Sequence, residues 1–89
     1  MKTIHITVSG RVQGVYFRAF TKKQAIKHGI TGIVSNKDNG TVEIIAQAEQ
    51  ENLDRLVSWC HKGSLMAKVE SVTITESSTP EKFSLFEIR

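Results

Sequence analysis

The residues of this 89-residue chain best suited to chemistry lie in two short segments: Gly10, Gly14 and Arg18 in "SGRVQGVYFR", and Asn36 in "GIVSN". The first segment carries two arginines, Arg11 and Arg18, and no carboxylate. It follows an alternating apolar run and leads into a helical pattern. A loop entering a helix aims unpaired backbone N–H groups and the positive end of the helix dipole at one place, which suits an anion such as phosphate. Gly10 and Gly14 permit close backbone approach and unusual dihedrals, and Arg18 can add a two-pronged guanidinium. The segment lacks the Gly-Lys-Ser/Thr ending of a nucleotide-binding P-loop. A structural turn could share the same glycine pattern, so the local reading leaves turn and anion site both open.

The elements that must position these residues follow from periodicity. "TIHITVS" alternates strictly, with Ile4, Ile6 and Val8 on one face, which predicts a half-buried strand. "YFRAFTKKQAIKHG" reads as a helix with Phe17, Phe20 and Ala25 near one stripe and Gly29 as its stop. "ITGIVSNKDNGTVEIIAQA" holds two strands around Asn39-Gly40, residue types that tolerate positive φ in a hairpin turn. "EQENLDRLVSWCHKG" places Leu53, Leu56, Val57 and Cys60 at helical spacing, with Gly63 after them. "KVESVTITE" and "FSLFEIR" read as strands, separated by the turn-rich "SSTPEK" around Pro80.

The order βαββαβ with a short extra C-terminal strand is the split β-α-β pattern of α+β, ferredoxin-like sandwiches, with two helices on one face of a mainly antiparallel sheet. In that topology the first two strands run the same way with the third between them. The glycine loop and Asn36 then emerge at one edge, roughly 10 Å apart, with Arg18 above it.

Composition sets the frame for these motifs. Residues 1–89 are expected to form a single domain, and 39% apolar with 24% charged residues is the profile of a soluble globule. No window resembles a membrane span or a signal peptide. The single cysteine excludes an internal disulfide, so a cytoplasmic protein is expected. Seven basic residues and no acidic one occur from Met1 to Lys37, a distribution that attracts phosphate esters, carboxylates or nucleic acid.

"SGRVQGVYFR", together with "GIVSNKDNGTVE" and the ending "FEIR", closely resembles the signature segments of the acylphosphatases, and the resemblance spans nearly the whole chain. It implies an enzyme that hydrolyses carboxyl-phosphate anhydrides without metal or cofactor. It further implies that Arg18 and the amides of Gly10, Arg11, Val12, Gln13, Gly14, Val15 and Tyr16 bind the phosphoryl group, and that Asn36 positions the attacking water. The partner is then a small-molecule acyl phosphate, with inorganic phosphate or sulfate as competing anion, and a monomer that binds neither nucleic acid nor membrane. Three residues depart from the family pattern: Ile33 where tryptophan is common, Ser35 where a basic residue is common, and Ser64 where proline usually follows the glycine.

Other residues have plainer readings. Cys60 lies on the apolar stripe of the second helix and suits packing better than nucleophilic catalysis. His5, His28 and His61 lack ligand spacing, Asp38 suits the turn, and Arg11 either steers anions or faces water. An RNA recognition motif shares the element order but stacks bases on aromatics of the third strand; "TVEIIAQA" has none. A non-catalytic phosphate-sensing domain is the remaining alternative.

Overall fold

A computed structural model describes residues 1–77 and 81–89. Its elements are β1 (Lys2–Arg11), α1 (Phe17–Lys27), β2 (Thr31–Asn36), β3 (Val42–Ala48), α2 (Gln50–Lys62), β4 (Lys68–Glu76) and β5 (Phe86–Ile88). The sheet order is β4-β1-β3-β2-β5, antiparallel throughout except for the β2–β5 pair. This is the expected ferredoxin-like arrangement, with the short last strand at the edge. The predicted turn "SSTPEK" falls partly on residues 78–80, outside the described residues.

Alternation in β1 and β3 turns Ile4, Ile6, Val8, Val42, Ile44 and Ala46 toward the helices, where all are buried with Leu53, Leu56 and Cys60 of α2. Each of the Val, Leu and Ile side chains among them contributes about 1.5–3 kcal/mol through removal from water. The face of α1 differs from the sequence expectation. Phe17, Thr21 and Ala25 are buried, one helical turn apart, while Phe20 is 42% exposed. Thr21 takes the inner position because its hydroxyl donates to the Phe17 carbonyl at 2.8 Å, which satisfies the one polar group that burial would otherwise orphan.

Gly10 and Arg11, assigned to the loop by the sequence reading, are instead the last residues of β1. They pair with Val69 and Lys68 of β4 after a register shift between Ser9 and Gly10. Gly10 has φ +121°, and a Cβ there would lie 2.2 Å from the Lys68 carbonyl oxygen. Its close approach is therefore to strand β4 at an irregularity that bends the chain toward the loop.

The hairpin turn runs from Lys37 to Thr41. Lys37 N–H donates to the Thr41 carbonyl at 2.9 Å, and Gly40 N–H to the Lys37 carbonyl at 3.1 Å. Gly40 adopts positive φ and Asn39 does not. Asn39 Oδ1 instead accepts from the backbone N–H and hydroxyl of Thr41, at 3.1 and 2.7 Å. At the other end of β3, buried Gln47 accepts Phe83 N–H at 2.9 Å and donates to the Glu81 carbonyl at 2.5 Å, guiding the returning chain across to β5.

Candidate active site

The register fixes where the two motifs meet. Val8 of β1 and Asn36 of β2 both oppose Val42 of β3, so Asn36 lies two strands from the point where β1 bends toward its loop. Two inter-strand spacings are about 10 Å. The loop from Val12 to Tyr16 closes that gap.

Val12 and Val15 anchor the loop by burying their side chains, 1% and 8% exposed. Between them, Gln13 spans to the hairpin: its amide nitrogen donates to the carbonyls of Lys37, at 2.7 Å, and Thr41, at 2.9 Å. One side chain of the first motif thus clamps the residue that follows Asn36. Gly14 has φ +74° with open space where a Cβ would stand.

Tyr16 is the N-cap of α1 at φ 62°, ψ 20°, the only non-glycine residue with positive φ among the described residues. Such a conformation costs on the order of 1–3 kcal/mol and persists where surrounding contacts impose it. No side chain caps α1, and its first turn has no acidic residue, so its leading N–H groups and positive dipole end remain available to an anion. Below it, Phe17 packs against Trp59 with ring centroids 5.2 Å apart, which holds the start of the helix to α2.

A cleft of about 360 Å³ opens at this point, lined by Val12, Gly14, Tyr16, Arg18 and Asn36 together with Phe17, Ala19 and Ile88. The first five were candidates from sequence. Gly10, Arg11, Gln13 and Val15 do not line the cleft; the first two belong to β1, and Gln13 and Val15 shape the loop. Ile88 arrives from the far end of the chain, and the "FEIR" ending was its only trace in the sequence. β5 is carried to the site by hydrogen bonds from Gly32 N–H to Leu85 and from Arg89 N–H to Val34, at 2.9 and 2.8 Å.

The half-buried Arg18 donates Nη1–H to the backbone oxygen of Arg89 at 3.4 Å, a long and easily exchanged contact. Its other guanidinium donors have no partner among the described residues. No group of three His, Cys, Asp or Glu suited to a metal occurs among the described residues. His5 Nε2 sits 2.9 Å from Glu43 Oε1 on the uncovered sheet face. Cys60 is fully buried in the core, and loss of solvation pushes its thiol up to about 12, which leaves it protonated at neutral pH. Among the described residues no helix is long and apolar enough to cross a membrane.

Comparison with known proteins identifies the family. A family model described as Acylphosphatase matches residues 4–88. An acylphosphatase of Natronomonas pharaonis is 47% identical over 85 residues, covering 96% of this chain and 91% of the relative. One from Methylococcus capsulatus is 38% identical over 88 residues, covering 99% and 96%. The crystal structure of acylphosphatase from Bacillus subtilis superposes with a TM-score of 0.95 at 39% identity, covering 100% of this chain and 99% of that one. With nearly its whole length accounted for by sequence and by fold, the chain belongs to the acylphosphatase family.

Proposed function

We propose that the chain hydrolyses acyl phosphates to a carboxylate and inorganic phosphate, with Arg18 and the loop amides holding the phosphoryl group and Asn36 orienting the water. The observation that carries this reading is the convergence of Arg18, Asn36, Gly14, Tyr16 and the uncapped start of α1 on one cleft.

The chemistry asks little of such a site. A carboxylate is a weak base and leaves without a strong general acid. Phosphoryl transfer through a loose transition state needs in-line positioning and neutralisation of the equatorial oxygens. Backbone donors fixed before the reaction meet the second need without reorganising. The Arg18 fork adds paired charge-assisted hydrogen bonds. Asn36, on the facing strand end, offers an amide that holds a water and cannot act as a base, so the proton passes to a phosphoryl oxygen of the substrate.

Spectrophotometric hydrolysis of benzoyl phosphate, with and without a chelator, tests the assignment. Turnover that survives chelation and is inhibited competitively by inorganic phosphate is expected. Absence of turnover by folded protein, or strict dependence on added metal, would overturn it. The RNA-binding alternative gains nothing from the structure: the face of β1 and β3 turned away from the helices carries Thr3, His5, Thr7, Glu43 and Ile45, with Gln47 buried beneath the 81–83 segment, and no aromatic among them.

A further inference from the structure

We infer that Ser64 is a positioning residue for the anion site, holding the Val15–Tyr16 peptide so that the Tyr16 N–H faces the cleft; this rests on the function proposed above. Ser64 follows α2, is 6% exposed, and donates its hydroxyl to the Val15 carbonyl at 2.8 Å. A trans peptide is planar, so its C=O and N–H point in opposite directions. Ser64 borders a separate groove with Phe20, Trp59 and Leu65, which shares no residue with the Arg18 cleft. Drawing the Val15 carbonyl toward Ser64 therefore turns the Tyr16 N–H toward Gly14 and Arg18.

The backbone at Tyr16 gives the hydroxyl something to hold against. With φ at 62°, Tyr16 would gain by a flip of the preceding peptide, which carries its φ to negative values and removes the N–H from the cleft. On its other side the Tyr16 carbonyl is fixed by Phe20 N–H at 3.1 Å. The Ser64 hydroxyl is the complementary restraint.

The test measures inhibition by inorganic phosphate, with kcat and KM for acetyl phosphate, in the unsubstituted protein, Ser64→Ala and Ser64→Thr, each also in a Tyr16→Gly background. Ser64→Ala should raise the phosphate inhibition constant about tenfold, the effect of one hydrogen bond in the upper part of its range, and Ser64→Thr should restore it. With glycine at 16 the left-handed conformation carries no steric penalty, so the Ser64→Ala effect should shrink to below about threefold, a coupling between the two positions. A merely structural serine would lower thermal stability without moving the phosphate constant of folded protein. A Ser64→Ala constant within about twofold of the parent value overturns the inference alone. So does an undiminished effect in the glycine background, or failure of threonine to restore binding. If the unsubstituted protein neither binds phosphate nor turns over acetyl phosphate, this inference and the proposed function both fall.

Discussion

Replacing Gln13 with Met tests whether the two motifs act as one site. The substitution keeps the side-chain length and removes both donors to the hairpin carbonyls of Lys37 and Thr41. Neither carbonyl is left without a partner, because Lys37 still accepts from Gly40 at 3.1 Å and Thr41 from Lys37 at 2.9 Å. The cost is therefore two net hydrogen bonds and no desolvation penalty, about 1–3 kcal/mol in all. For a domain of this size about 2 kcal/mol corresponds to a fall in Tm of roughly 8–16 °C. Catalysis should suffer separately from stability. Asn36 precedes the clamped Lys37, and a misplacement on the order of 1 Å can cost up to about 10²-fold in rate. At a temperature where the variant is fully folded, kcat on benzoyl phosphate should fall by about tenfold or more with the phosphate inhibition constant nearly unchanged. Urea unfolding and steady-state kinetics supply both readouts. Unchanged kcat with the expected loss of stability would show that the clamp does not position Asn36, and unchanged stability would refute the energetic argument itself.

Arg18→Ala and Arg18→Lys should both lower turnover by more than about 10²-fold and remove phosphate inhibition together, since lysine keeps the charge but not the fork; steady-state kinetics with phosphate titration checks this. Asn36→Ala should lower kcat with little change in KM, because the amide is assigned to the water and not to the phosphoryl group; a matching rise in KM would contradict that division. Cys60 should resist thiol reagents until the protein unfolds, as its thiol is pushed from an ordinary 9.0 up to about 12 by burial. The sign follows from linkage: between those values the unfolded chain releases a proton that the folded one keeps, so stability falls as pH rises. By pH 10 this contributes a loss of about 1.4 kcal/mol, which urea unfolding should detect in the parent protein and not in Cys60→Ala.

Periodicity carried the architecture. The alternation of β1, the Leu53-Leu56-Cys60 stripe of α2 and the Asn-Gly turn each depend on side chains a few residues apart, and side-chain direction in strands and helices follows from backbone geometry alone. Where α1 departed from expectation, the cause was a local bond that an apolar count ignores: the Thr21 hydroxyl satisfied by Phe17. The arginine-flanked glycine segment marks Arg18 as a candidate anion ligand by residue type alone, whereas the role expected of Asn36 comes from the family resemblance of the second segment.

Long-range pairing decided the rest. Whether Gly10 and Arg11 belong to a loop or a strand depended on β4 approaching them across a register shift. The clamp from Gln13, the anchor from Ser64 and the wall from Ile88 each join residues far apart along the chain. No spacing rule encodes such contacts, because a side-chain donor's partner is whichever carbonyl the packed fold brings within hydrogen-bond reach. The sequence determined which groups are on hand for an anion, the glycine-bearing segment, Arg18 and Asn36, whereas the tertiary structure determined how those groups are brought to one cleft and held in register with one another.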